Sequence, residues 1–453
     1  MEINTAIVAG TGKSGISATK LLVNHGVKVY LFDENKDRDI EAIKEKTGDS
    51  ELVQIELGEL GEDALSSSQL MVISPGIPVD APFTDVVRNA GIPIWSEIEL
   101  AYHYGKGKIA AITGTNGKTT TTALVGEIVK AHNAKTIVVG NIGIPYTELC
   151  DTTDDDSDTV AEISSFQLET VIDFHPNVSA ILNLTPDHLN RHYTFENYGN
   201  VKFSITKNQT MDDVTVLNYD DEHTRAMGDK AKDHCHVVYF SRLEKPAGGV
   251  YVEDGDIILE DGDKKINVLA IKDLKLMGAH NVENVLAAVG ISYYMGVPVD
   301  VIRDVATSFK AVAHRIEYVD TVDGVAYYND SKGTNPDAAI KGIQAMVAPT
   351  FLIGGGYDKG SEYDEWIEAF DGKVKWLVLI GQTAQKIADC AKRHGFNSII
   401  FEENLQDAVA YCHENAVDGD AVLLSPACAS WGQFDNYEQR GDMFKEYVRS
   451  YKE

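Results

Sequence analysis

The strand-like run KIAAIT is followed at once by Gly114-Thr115-Asn116-Gly117-Lys118-Thr119-Thr120 and then by an amphipathic segment from Thr119 to His132. These residue types at this spacing can hold a nucleoside triphosphate. Glycines let backbone N–H groups approach phosphate oxygens, and a helix N-terminus adds partial positive charge. Lys118 can reach the β- and γ-phosphates, and the Thr119 hydroxyl can ligate Mg²⁺. The usual phosphate-loop pattern would have glycine at position 112, where this chain has Ile112. The strand before, the helix after and the second glycine nevertheless separate the segment from an ordinary glycine turn. The segment, extended to Thr121, is therefore read as an ATP site.

A second glycine loop, Gly10-Thr11-Gly12-Lys13-Ser14-Gly15, follows the run TAIVAG, and Asp33 ends the next apolar run. Alone, this G-x-G-x-x-G says dinucleotide. The same geometry would hold any diphosphate against a helix N-terminus, with an acid placed for ribose or base, so a UDP moiety fits equally. A tight turn without a ligand is the plainer alternative. An NAD-dependent oxidoreductase would use this loop but would leave the ATP loop without work, so the pair favours a nucleotide-linked substrate plus ATP. Glu162, in the run TVAEISS, and Asp187-His188, after VSAILNL, stand at strand ends that would face one crevice. Their oxygens suit Mg²⁺, with Thr119 completing the shell.

The elements that must position these residues read as α/β. Short runs rich in Val and Ile alternate with helical patterns, the rhythm of buried parallel strands and crossover helices. TAIVAG, VKVYLFD and QLMVIS read as strands of a first domain, with a helix from Ile16 to His25. A second set, KIAAITG, TIVVGN, TVAEISS, VSAILNL and VTVLNYD, forms a second domain. A third set, GVAYYND, PTFLIGGG, VKWLVLIG and DAVLLSP, follows a helix over 283–295. The expected architecture is three consecutive α/β domains at 1–103, 104–312 and 313–453. The first and third are Rossmann-like, and the central one is a P-loop-type ATPase domain with a mostly parallel sheet.

Composition narrows the function classes. Forty basic against seventy acidic residues give a net charge of -30, a field that disfavours nucleic-acid and anionic-membrane partners but not a small anion in a local site. Five widely spaced cysteines without a Cys-x-x-Cys pair suggest neither a disulfide framework nor a zinc site. The absence of a basic n-region or a long apolar span fits reducing cytoplasm. The acidic run DTTDDDSD at 151–158 reads as a solvated loop at a sheet edge.

These residues resemble a known family, the Mur ligases of peptidoglycan synthesis. The resemblance covers nearly the whole chain and rests on GTNGKTT (114–120), Gly140-Asn141-Ile142-Gly143, Glu162-Ile163-Ser164-Ser165-Phe166-Gln167-Leu168 and Asp187-His188-Leu189. It continues with Gly278-Ala279-His280-Asn281 and Asn284, His314-Arg315, and Asn329-Asp330-Ser331-Lys332. The glycine-rich start, Ser74-Pro75-Gly76-Ile77, the GGGYDKG loop ending in Lys359 and the SPACAS segment at 425–430 resemble the D-glutamate-adding branch. Another Mur or folylpolyglutamate-type ligase remains an alternative.

The resemblance implies an amide ligase that activates the carboxylate of UDP-N-acetylmuramoyl-L-alanine as an acyl phosphate and joins it to D-glutamate. It implies that Lys13, Ser14, Asp33, Ser74 and Gly76 hold the UDP part, with Asn141 and His188 guiding the rest. Asn284, Arg315, Asp330 and Lys332 would join the phosphate loop in holding ATP, and closure of the third domain would exclude water. Thr334, Lys359 and Ser430 would meet the D-glutamate carboxylates, with Trp431 and Tyr437 as walls. Lys202 is expected to be carbamylated and, with Thr119, Glu162 and His188, to bind two Mg²⁺ ions; Lys118, Glu162, His188 and Lys202 would be the catalytic set. No obligate protein partner is implied.

Overall fold

The computed structural model describes residues 3–276, 278–310 and 312–452. The chain forms two compact units, residues 1–273 with 283–307, and residues 274–282 with 308–453.

The first unit contains two sheets. One is wholly parallel, in the order Val53–Leu57, Lys28–Asp33, Thr5–Ala9, Leu70–Ile73, Ile94–Ser96. Ile7, Val8, Leu31 and Leu70 are fully buried, as expected for strands covered on both faces by crossover helices. The helix after the first strand runs Lys13–Asn24, three residues earlier than the apolar pattern predicts, because Lys13 and Ser14 carry no apolar signal. The strand order reverses at Thr5–Ala9, which has Lys28–Asp33 on one side and Leu70–Ile73 on the other. In an open α/β sheet, the crevice at such a switch point is the ligand edge. Gly10 and Ser74 stand there.

The second sheet has nine strands. From one edge they are Lys264–Ala270, Asp256–Asp261, Gly249–Glu253, His236–Ser241, Val214–Asn218, Val178–Ile181, Lys108–Thr113, Asp158–Glu162 and Ile137–Gly140. Pairing is parallel from Gly249–Glu253 onward and antiparallel in the two outermost ladders. Lys108–Thr113 lies between Val178–Ile181 and Asp158–Glu162, so Gly114, Glu162 and the residues after Ile181 end three adjacent strands at one edge. The acidic run leads into Asp158–Glu162, one strand in from the Ile137–Gly140 edge, and most of it is solvated.

The second unit has a six-stranded sheet in the order Glu317–Val322, Val325–Asn329, Ala421–Leu424, Thr350–Gly354, Val374–Leu379, Ile399–Phe401. Only the first pair is antiparallel. Asp330, Ser425 and Gly355 follow the ends of its three middle strands. Each sheet therefore delivers its motif residues at the carboxyl ends of neighbouring strands. Among the described residues no helix is long and apolar enough to cross a membrane, and all five cysteines are free and buried.

Candidate active site

The loop after Lys108–Thr113 turns through Gly114 (φ 147°) and Gly117 (φ 83°), both in the left-handed half of backbone space, before the helix Lys118–His132 begins. A Cβ at Gly117 would lie 2.2 Å from Asn284 Oδ1, so glycine lets the asparagine close over the loop. Asn284 Oδ1 also accepts from the Thr121 hydroxyl at 3.3 Å. Lys118 curls over its own loop, and its Nζ donates to the Gly114 and Thr115 carbonyls at 2.9 and 2.8 Å. Thr119, Thr120 and Thr121 are buried in the first turn.

Two residues that sequence reasoning missed hold this loop. Asn183 accepts from the Asn116 N–H at 2.8 Å and donates to the Asn116 carbonyl at 3.1 Å. The Tyr198 hydroxyl lies 3.1 Å from Thr115 Oγ1. An asparagine directly after a central strand was the available signal for the first; nothing local marks the second.

Lys202 lies on the helix Phe195–Phe203 and is 1% exposed. Its Nζ donates to the Gly114 carbonyl at 2.8 Å and to Thr113 Oγ1 at 3.3 Å, 4.9 Å from the Tyr198 ring centroid. Burial, reinforced by the Lys118 charge, holds its amine well below the ordinary lysine range, against the pull of Asp187 and Glu162. Here a buried ammonium costs more than a neutral amine.

Glu162 is 1% exposed. Its Oε1 accepts from Asn141 Nδ2 at 2.6 Å, while its Oε2 is buried without a hydrogen-bond partner. A carboxylate oxygen left orphaned in this way fits a divalent cation as its missing partner. His188 adopts φ 53° at the start of the helix Leu189–His192. Burial lowers its pKa, opposed by Asp187 and reinforced by Lys118 and Lys202, so the imidazole is biased toward the neutral, ligating form. Of the expected ligands, it is the orphaned Glu162 oxygen that favours a divalent cation at this edge. The clusters of three His, Cys, Asp or Glu ligand atoms among the described residues lie elsewhere, at Glu99, His103 and Asp173 and at Asp364, Cys390 and His394.

In the first sheet's loop, Gly15 packs so closely that a Cβ there would lie 1.8 Å from the Gly10 carbonyl, and one at Gly10 would lie 2.7 Å from Ser74 Oγ. Ser74 Oγ is buried without a partner. Lys13 and Gly76 are exposed, and Ser14 is half-buried. Asp33 is occupied with its own loop: its Oδ2 accepts from the Thr11 hydroxyl at 2.6 Å, the Thr11 N–H at 3.1 Å and Arg38 Nε at 3.2 Å. Burial pushes its carboxyl up, but the Thr11 hydroxyl, the Asn35 and Thr11 N–H groups and Arg38 outweigh that and hold it below the usual value. Arg191, also missed, joins this edge to the phosphate-loop edge. It donates to the Ile77 carbonyl at 2.8 Å and pairs with Glu169 at 2.5 Å, placing the His188 segment beside the Ser74–Ile77 turn.

In the second unit, Asp330 is buried and accepts from the Ser425 hydroxyl at 2.7 Å. Burial pushes its carboxyl up to about 7, against Ser425, Arg315, the Ile316 N–H and Arg440. Arg315 Nε is buried without a partner. Lys332 Nζ lies 5.5 Å from the Tyr437 ring centroid, and Thr334 follows in the same turn, its N–H donating to the Lys332 carbonyl at 2.8 Å. A second group brings Lys359 Nζ 4.7 Å from the Trp431 ring centroid, with Tyr357 edge-on to that ring at 5.7 Å and the buried Ser430 alongside in sequence. Arg440, not anticipated, is 1% exposed and ties the two motif strands: it donates to the Ser331 hydroxyl at 2.9 Å, the Ser331 carbonyl at 2.8 Å and the Cys428 carbonyl at 3.2 Å.

Comparison with known proteins gives three family matches. Residues 4–96 match the Mur ligase MurD-like N-terminal domain, 112–292 the Mur ligase middle domain and 314–428 the Mur ligase glutamate ligase domain. The chain is 56% identical to the UDP-N-acetylmuramoylalanine--D-glutamate ligase of Lachnospira eligens over 99% of both chains. It is 51% identical to that of Lachnoclostridium phytofermentans over 99% of this chain and 98% of the relative. Among solved structures, the fold is shared with UDP-N-acetylmuramate-alanine ligase from Thermotoga maritima, at TM-score 0.61 and 19% identity, covering 99% of this chain and 100% of that one. It is also shared with MurF from Acinetobacter baumannii, at TM-score 0.62 and 16% identity, covering 97% and 93%.

Proposed function

The chain belongs to the Mur ligase family, and from that premise we propose that it is an ATP- and Mg²⁺-dependent ligase adding D-glutamate to UDP-N-acetylmuramoyl-L-alanine in peptidoglycan precursor synthesis. The observation that carries this reading is the phosphate loop backed by a buried, neutral-biased lysine and an orphaned Glu162 oxygen. A hydride-transfer enzyme has no use for that arrangement.

A carboxylate resists amine attack because its oxygen is a poor leaving group. In the proposed reaction the alanyl carboxylate attacks the γ-phosphorus, ADP leaves, and an acyl phosphate results. The D-glutamate amine then attacks the acyl carbon, phosphate departs, and the amine proton is lost. Lys118 orients the γ-phosphoryl group and offsets charge on its oxygens. Mg²⁺, when bound, supplies further charge neutralisation, and Thr119, Glu162, His188 and modified Lys202 are the residues that would hold two ions. For Lys202, the neutral amine adds to CO₂, an N–C bond forms, one proton leaves nitrogen, and an anionic carbamate oxygen results.

We assign residues 1–103 to the UDP-linked substrate, 104–312 to ATP and 313–453 to the amino acid. Lys13, Ser14, Asp33, Ser74 and Gly76 serve the UDP part, and Asn141 and His188 the muramoyl-alanyl end. Asn284, Arg315, Asp330 and Lys332 serve ATP. Thr334, Lys359 and Ser430 meet the D-glutamate carboxylates, walled by Trp431 and Tyr437. We place the activity in the cytoplasm.

Phosphate release from ATP with UDP-N-acetylmuramoyl-L-alanine, run against a panel of amino acids, tests the reading. D-glutamate should be strongly preferred. Equal release with L-glutamate, or preference for L-lysine or meso-diaminopimelate, would refute the assigned specificity.

A further inference from the structure

We propose that the second unit carries a binding site for a borderline-soft divalent cation of the zinc class, built from Asp364, Cys390 and His394. These residues offer one ligand atom each, all within 4.8 Å of one another. Asp364 opens the helix Asp364–Glu368. Cys390 lies in the helix Ala384–Arg393, and His394 caps that helix. The i, i+4 spacing of cysteine and histidine puts both on one helix face, and Asp364 meets them from the other helix.

The histidine is oriented for ligation. Its Nε2 lies 2.8 Å from Asp364 Oδ1 and its Nδ1 3.7 Å from Glu368 Oε1. At 2.8 Å the Nε2–H donates to the Asp364 carboxylate; a cation at the cluster would replace that proton, and Glu368 stands near the other ring nitrogen, where a carboxylate can support an Nδ1–H, as is usual around metal-bound imidazoles. Tetrahedral zinc bonds of ~2.0–2.3 Å require ligand atoms roughly 3.3–3.8 Å apart. The histidine–aspartate spacing is 2.8 Å and no pair exceeds 4.8 Å, so small side-chain rotations would bring the ligands to that range.

The donor set selects the metal. Thiol sulfur with imidazole nitrogen and one carboxylate oxygen suits zinc, with water as fourth ligand, whereas Mg²⁺ prefers an octahedron of oxygens. Cys390 is 2% exposed, and burial pushes its thiol up to about 11, so without a cation it is protonated. Binding forms the metal–sulfur bond and releases that proton to solvent. Arg393 brings positive charge to the cluster: its Nη2 lies 3.5 Å from Asp364 Oδ1, and its side chain is 60% exposed, so it can swing outward. Glu362 adds negative charge beside Cys390. The cluster plays no part in the proposed ligase chemistry.

The test is a Co²⁺ titration of the full chain without nucleotide. A thiolate-to-cobalt band in the near ultraviolet should saturate at one ion per chain, yield to added Zn²⁺ and persist in excess Mg²⁺. The Cys390→Ser variant should lose the band. The His394→Gln variant, altered at a partly exposed position that leaves the core intact, should bind at least about tenfold more weakly. A wild-type spectrum without the band, or a band surviving either substitution at full affinity, overturns the site.

Discussion

The two glycine loops of the first unit have the same backbone logic and opposite support. Around Gly114–Lys118 the protein braces the turn with side chains: Asn183 pairs with both the N–H and the carbonyl of Asn116, Asn284 closes over Gly117, and the Lys118 and Lys202 amines both donate to the Gly114 carbonyl. Around Gly10–Gly15 the turn is held by backbone packing and by Asp33 bonded to Thr11, while Lys13 is exposed. The difference matches the chemistry proposed for each loop. A group that transfers phosphoryl needs donors fixed where charge develops. A group that anchors a diphosphate remote from the reaction needs only an accessible helix N-terminus. Substitutions should therefore damage rate at the braced loop and affinity at the open one.

The largest effect is expected at Lys118. Lys118→Ala should cut phosphate release by more than about a hundredfold, ~2.7 kcal/mol of transition-state stabilisation, while calorimetry shows UDP-substrate binding little changed. A variant that keeps turnover but loses UDP-substrate binding would invert the comparison.

Next comes Lys202. Lys202→Ala should be nearly inactive and partly restored by millimolar formate or acetate, whose oxygens replace the carbamate. Its burial beside the Gly114 carbonyl and its depressed pKa favour the neutral amine that reacts with CO₂. Wild-type activity in the variant would remove the lysine from the chemistry, and loss without rescue would reduce it to a brace.

At the open loop, Gly12 has φ -77° and nothing within 4 Å of where a Cβ would stand. The fold therefore does not require glycine there. If a diphosphate lies over the loop, Gly12→Ala should raise the KM for the UDP-linked substrate about tenfold, ~1.4 kcal/mol, with Tm unchanged. An unchanged KM would mean the phosphates lie elsewhere. The smallest effect is expected at Lys13, an exposed cation worth up to about 1 kcal/mol. Lys13→Ala should raise that KM only a few-fold, increasingly so at low salt. A rate effect in place of a KM effect would make this loop part of the chemistry.

The braced loop shows what a sequence can and cannot reveal. Gly114, Gly117, Lys118 and Thr119 were legible because their backbone and charge requirements fall on consecutive residues between a strand and a helix. Tyr198, Arg191 and Arg440 were not, since each acts on a partner far away in sequence and carries no local pattern, and Asn183 was marked only by its place after a strand. The antiparallel edge of the second sheet could have been found. Asp254-Gly255 joins Gly249–Glu253 to Asp256–Asp261 with φ 51° and 85°, the Asp-Gly hairpin turn whose twist matches its strands. The flanking Val201 and Phe203 suggest a partly desolvated Lys202, which is buried, but they do not share its helix face. What buries it is the underside of the phosphate loop.

The central claim is that the alanyl carboxylate becomes an acyl phosphate, and oxygen tracing tests it most directly. With both carboxylate oxygens of UDP-N-acetylmuramoyl-L-alanine labelled as ¹⁸O, the bridging oxygen of the intermediate leaves with phosphate when D-glutamate attacks. Mass spectrometry of the released phosphate should show one ¹⁸O per molecule and one retained in the amide. Unlabelled phosphate accompanying amide formation would contradict the account.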